Sequence, residues 1–225
     1  MQMEQKRALI FANGEQFFTH AVKALLLPGD LLIAVDGGLK YVRALGLDPH
    51  LLIGDLDSVD PAEITRLQAV GARVEKFPVH KDETDLELAV IEALRLGCTN
   101  LLILGALGGR LDMTLANIFL LALPVLEGTD TRLEDGLEEV FLVRAGREGA
   151  VIYGQPGERV SLLPYAGPAR GVSTTGLYYP LKQETLYQER TRGISNRMQD
   201  AQARVTLEDG CLICIHTRQG AGNNG

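Results

Sequence analysis

The sequence predicts an α/β fold, a mainly parallel sheet flanked by helices and followed by a smaller antiparallel β-sandwich domain. Three observations lead there. Short aliphatic runs at residues 8–11, 31–35, 51–53, 74–77 and 101–104 alternate with stretches of helical period, the pattern of a parallel sheet covered on both faces. From about residue 148 the texture changes to Gly, Pro and Thr with a two-residue period. There Ala201, Ala203, Val205 and Leu207 face one way and Gln202, Arg204, Thr206 and Glu208 the other. The 225 residues, 46% hydrophobic and 23% charged, suffice for one large domain or two modest ones with real cores. The expected domains are 1–147, an α/β catalytic unit, and 148–218, a β-sandwich, with 219–225 a disordered tail.

The second run leads into Asp36, Gly37 and Gly38 and then a helix over 39–45. The third leads into Gly54, Asp55, Leu56, Asp57 and Ser58. Asp60, Pro61 and Glu63 then read as the N-cap, first-turn proline and third-position acid of the next helix. The fourth passes Pro78 and His80 to Lys81, Asp82, Glu83, Thr84 and Asp85, ahead of a helix with Leu86, Ala89, Val90, Ala93 and Leu94 inward. Asp82 is the expected N-cap of that helix. The fifth enters Gly105, Ala106, Leu107, Gly108, Gly109, Arg110, Leu111 and Asp112, then a helix through Asn117. Residues 129–138 read as a polar, acidic connection. Asp209 and Gly210 read as a two-residue hairpin turn before 211–215.

The bulk numbers exclude several classes. A net charge of −7 with no basic cluster argues against nucleic acid as a partner. Cys98, Cys211 and Cys214 lack the spacing of a disulfide framework, and the C-x-x-C at 211–214 has no partner pair for zinc. The longest apolar run, 118–125, is too short to span a membrane and contains Pro124, and the N-terminus lacks a signal-peptide pattern. A cytoplasmic protein is expected.

Ligands of parallel sheets collect at the carboxyl ends of the strands. Asp36 would face such a crevice, with Gly37 and Gly38 allowing close approach of a ligand to the backbone. Asp55 and Asp57, if that segment is extended, project from one side, and two such carboxylates repel unless a cation joins them. Mg²⁺ takes one or two carboxylates plus water and substrate phosphates. Asp82 and Asp85 share a helical face. The turn at 105–109 offers backbone amides for phosphate and Arg110 a fork-shaped cation, but the Lys-Ser/Thr of a Walker A loop is absent. Taken singly, each element is a weak signal with a structural reading as a turn, loop or helix cap; four at the strand ends of one sheet point to one site.

In this order, Asp36-Gly37-Gly38, Gly54-Asp55-Leu56-Asp57-Ser58, Asp82 with Thr84-Asp85, and Gly108-Gly109-Arg110 with Asp112 and Asn117, the chain resembles the thiamine pyrophosphokinases. The resemblance continues through Thr175-Gly176-Leu177, Tyr179-Pro180-Leu181 and Gly193 with Ser195-Asn196. It implies transfer of pyrophosphate from ATP to thiamine with release of AMP, in a homodimer whose thiamine sites lie between subunits. It implies Mg²⁺ held by Asp55, Asp57 and Asp85, with Asp36, Asp82, Arg110 and Asp112 as catalytic residues. Gly37, Gly38, Ser58, Lys81, Thr84, Gly108, Gly109 and Asn117 would contact the nucleotide, and Ser195 and Asn196 thiamine. Two positions depart from the pattern: Met113 stands where the family often has His, and Lys81 where its animal members have Gln. Two alternatives stay open on the residues alone, a kinase moving only the γ-phosphate and a non-catalytic nucleotide or thiamine binder.

Overall fold

The computed structural model describes residues 6–14 and 19–219. The chain divides into two compact units, 1–136 and 137–225.

In the first unit β1 (Lys6–Phe11), β2 (Leu31–Val35), β3 (Leu51–Gly54), β4 (Arg73–Lys76), β5 (Cys98–Leu104) and β6 (Asp130–Glu134) form a sheet in the order 6-5-1-2-3-4. Every pairing in it is parallel. Ala8, Leu9, Ile10 and Phe11 are all fully buried, as a central strand covered on both faces must be. Alternate residues supply the two cores. Leu9, Phe11, Leu32, Ala34, Leu52, Leu102 and Leu104 pack with Val42 of α2 (Leu39–Ala44) and Leu67 of α3 (Pro61–Ala69). On β1, β2, β3 and β5 also rests α4 (Asp85–Arg95), whose Leu86, Ala89, Val90 and Ala93 are buried. Two further helices are α1 (Thr19–Leu25) and α5 (Leu111–Leu120).

Two expectations change in this unit. The acidic connection contains β6, because the polar character comes from partly covered strand positions: Leu133 is fully buried, and buried Glu134 turns its Oε1 to the Gly136 amide at 2.7 Å. The N-cap of α4 is Thr84, whose hydroxyl accepts from the Glu87 amide at 3.2 Å; Asp82 lies two residues too early. Asp60 caps α3 as expected, accepting from the Ala62 amide at 2.8 Å, with Pro61 in the first turn.

The second unit is antiparallel: β7 (Glu138–Tyr153), β8 (Arg159–Pro164), β9 (Ala169–Thr175), β10 (Glu184–Leu186), β11 (Asn196–Arg197) and β12 (Gln202–Thr217). The change of texture near residue 148 falls inside β7. β12 pairs with β7 along its length, with β9 through 204–209 and with β8 through 212–217. The hairpin expected at Asp209-Gly210 is therefore absent. The dipeptide lies within β12, where the register against β7 shifts between Leu207 and Cys211 and Gly210 adopts φ +91°. A left-handed glycine serves a bulge as well as a turn, and here the strand continues. Phe141, Ile152, Leu162, Val172, Leu186, Val205 and Leu212 belong to one core of this unit. The residues of the tail from 220 onward lie outside the described ones.

Candidate active site

In the order 6-5-1-2-3-4, strand β1 lies between β2 and β5, the point at which a parallel sheet of this topology opens a crevice at its carboxyl ends. A cavity of about 500 Å³ lies there, the size of a small-molecule site. Its wall is built from the ends of β1, β2 and β5 and the starts of α4 and α5.

Packing around the cavity is close enough to require glycine at positions 38 and 54 among others. A Cβ on Gly38 would lie 1.9 Å from the Phe11 carbonyl oxygen, and one on Gly54 (φ +147°) 1.8 Å from Asp36 Oδ1. Asp36 itself sits at φ +43°, its Oδ1 accepting from the Leu56 amide at 3.0 Å. The 55–58 segment is not extended. Leu56 adopts φ +60° and the Asp57 amide donates to Asp55 Oδ1 at 3.1 Å, a turn that buries Leu56 and leaves Asp57 and Ser58 exposed. The local Asx hydrogen bond competes successfully with strand geometry.

The structure brings Asp36 together with Asp85 and Asp55. Burial of the Asp36 carboxyl, reinforced by the negative charges of Asp85 and Asp55 and a hydrogen bond to Asp85, raises its pKa from 3.8 to about 6 against the lowering effect of the Leu56 amide. Lys81 Nζ makes an ion pair with Asp85 Oδ1. Asp82 is exposed and is not among the cavity residues, and Thr84 is committed to its cap. Among the described residues no three His, Cys, Asp or Glu side chains stand ready-made around one point as metal ligands. The Asp36–Asp85 pair nonetheless fits Mg²⁺, which needs only one or two carboxylates when water and phosphates complete its shell.

Across the cavity, Gly108 (φ +79°) and Gly109 (φ +70°) shape the turn into α5, and buried Asn117 donates from Nδ2 to the Ala106 carbonyl at 2.8 Å, tying the helix to that turn. Arg110, at the N-cap of α5, makes no capping bond; its Nε and Nη2 donate to Asp112 at 3.1 and 2.6 Å, both side chains being largely exposed. Each supports the other's charge: Asp112 raises the Arg110 pKa, and Arg110 lowers that of Asp112. Gly37 abuts the Asn13 side chain, to which its Cβ would come within 2.6 Å.

Asn13 and Gly14 lie outside the sequence motifs. Both line the cavity after β1, and the Gly14 amide donates to the Gly105 carbonyl at 2.7 Å, joining the two loops that frame the crevice. An Asn-Gly pair directly after the first aliphatic run was the available signal.

In the second unit Ser195 (φ +56°) is exposed, and its amide donates to Ser161 Oγ at 3.0 Å. Asn196 is buried. Its Oδ1 accepts from the amides of Tyr179 (3.0 Å) and Arg197 (2.9 Å), and its Nδ2 donates to the Tyr179 carbonyl at 2.7 Å. The amide thus clamps the segment carrying Tyr178 and Tyr179, whose exposed rings meet edge to face with centroids 4.8 Å apart.

The sequence pattern of the thiamin pyrophosphokinase catalytic domain matches residues 22–133, and that of the thiamin pyrophosphokinase vitamin B1 binding domain matches 151–212. Thiamine pyrophosphokinase of Bacillus subtilis (strain 168) is 29% identical over 187 residues, 83% of this chain and 87% of that protein. The crystal structure of thiamine pyrophosphokinase from Bacillus subtilis superposes with a TM-score of 0.84 at 27% identity, covering 95% of this chain and all of that one. Yeast thiamin pyrophosphokinase, at 16% identity, shares the fold with a TM-score of 0.74 over 96% of this chain and 87% of that one.

Proposed function

The chain belongs to the thiamin pyrophosphokinase family, and from that premise we propose how its own residues carry the reaction. The enzyme transfers the pyrophosphoryl group of ATP to the primary hydroxyl of thiamine, giving thiamine diphosphate and AMP. The observation that carries this is the match of one family to both units, catalytic pattern over 22–133 and vitamin-binding pattern over 151–212, with a ligand-sized cavity at the strand ends of the first.

The hydroxyl oxygen attacks the β-phosphorus and gives its proton to a site carboxylate, Asp36 or Asp82 being the candidates, while the bond from that phosphorus to the α-phosphate oxygen breaks in line and AMP leaves. Phosphoryl transfer of this kind asks the protein mainly to position reactants and stabilise charge. In our reading the amides of the 105–109 turn and the start of α5 receive the polyphosphate, and Arg110 exchanges Asp112 for phosphate oxygens, its fork suiting either anion. Asp36 and Asp85, with Asp55 nearby, would hold Mg²⁺, which when bound supplies charge neutralisation at the phosphates. Asp57 lies exposed on the same turn as Asp55 and is assigned to the rim of the site.

For thiamine, the exposed Ser195 hydroxyl and the rings of Tyr178 and Tyr179 are the proposed contacts, the aromatic faces suiting a cationic thiazolium. Asn196 acts by holding Tyr179. We also propose a cytoplasmic homodimer with thiamine sites between subunits. In support, α5 is strongly apolar yet buries only Asn117, leaving Leu111, Leu115 and Phe119 exposed at a four-residue spacing. No described helix is long and apolar enough to cross a membrane.

Replacing Asp85 by Asn should reduce AMP formation roughly 10³-fold while the circular dichroism spectrum is kept, since the charge that organises the cation is lost. Near-normal turnover would contradict the assignment.

A further inference from the structure

Lys81 has a position that the reaction scheme leaves unexplained. Its side chain is only 12% exposed, and its Nζ pairs with Asp85, which is 23% exposed. The same Nζ lies 5.7 Å from the centroid of the Phe77 ring. Lysine ordinarily keeps its ammonium in water while burying its stem, so drawing the head inward requires an anion and an apolar support. Both are present. Among the described residues, Lys81 is the only cation paired with Asp36, Asp55 or Asp85.

An ammonium and a divalent ion compete for the same carboxylate oxygens, and they repel each other when both stand beside Asp85. Lys81 also has an alternative anion within its repertoire. Its flexible four-carbon stem, rooted in the loop ahead of α4, can deliver the same charge to a phosphate. We propose that Lys81 is a positioning counter-ion: it holds Asp85 while the site is empty and passes to the polyphosphate when nucleotide and cation arrive together. The cation then binds weakly alone and tightly with nucleotide, a coupling that must be reciprocal. The proposal deepens the reading of the cavity as a nucleotide and cation site and rests on it.

Direct titration of the 225-residue chain with Mn²⁺, followed by electron paramagnetic resonance with and without α,β-methylene-ATP, tests it without turnover. Lys81→Gln should bind Mn²⁺ alone roughly tenfold more tightly than the parent and lose most of the gain that nucleotide confers. Lys81→Arg, which keeps the charge, should stay near the parent on both counts. Lys81→Met repeats the measurement if the Gln variant does not fold. Mn²⁺ binding by Lys81→Gln no tighter than by the parent would overturn the proposal, as would equal tightening in Lys81→Arg. A parent protein that binds no Mn²⁺ even with α,β-methylene-ATP would overturn the cation reading itself, and that failure is visible without any variant.

Discussion

Asp36 concentrates the tension of the unliganded site in one carboxyl group. Its folded-state pKa of about 6 lies above the ordinary 3.8, so the folded protein holds this proton more tightly than the unfolded chain does. That contribution to stability is complete below pH 3.8 and is lost as the pH rises through about 6. Asp36→Asn should therefore gain about 0.5–1 kcal/mol on the parent between pH 5 and pH 7.5, after allowance for solvent screening. Thermal melts of both proteins without added cation at the two pH values measure it; an equal pH dependence would refute it. Gly54 is the second critical residue. Gly54→Ala places a methyl 1.8 Å from Asp36 Oδ1 on a φ of +147°. Displacing that carboxylate by even an ångström should cost roughly 10²-fold in kcat/KM for ATP, read as AMP release. Asp36 and Gly54 were both visible in the sequence. Their contact was not, because it joins the ends of two different strands, and the Leu56 amide that holds the Asp36 carboxylate there comes from a left-handed leucine that no propensity favours.

At the scale of elements, the parallel strands were legible because their buried runs are short, aliphatic and separated by helical period; β2 matches residue for residue at Leu31–Val35. The cap of α4 was not, since Asp82 and Thr84 both suit an N-cap and only the backbone decides between them. Thr84→Ala should lower stability by about 1 kcal/mol and Asp82→Asn by a few tenths at most, measured by urea unfolding. A larger loss from Asp82→Asn would contradict the assignment of the cap. In the second unit, Asp209 and Gly210 misled because their turn chemistry also serves a bulge. The pairing of Asp209 with Arg170 on β9, with an Arg170 Nη1 to Asp209 Oδ2 distance of 2.6 Å, shows with the β7 pairing on either side that the strand runs on. Likewise β6 was hidden by its charges, which are tolerated where neighbouring backbone and side chains receive them.

The whole molecule joins an α/β unit that offers a charge-lined cavity to an antiparallel unit that offers exposed tyrosines beside a serine. The ordered motifs made that division of labour readable, since each lies at a strand end and the parallel topology gathers strand ends at one side of the sheet. Side-chain commitments were beyond the sequence: Asn196 is a clamp on Tyr179, and Arg110 is paired with Asp112. The central claim is that this cavity positions ATP for attack at its β-phosphorus by thiamine. Mass spectrometric identification of the products from ATP, Mg²⁺ and thiamine tests it most directly. AMP and thiamine diphosphate are expected in equal amounts; ADP with thiamine monophosphate, or no turnover by the folded protein, would contradict this assignment.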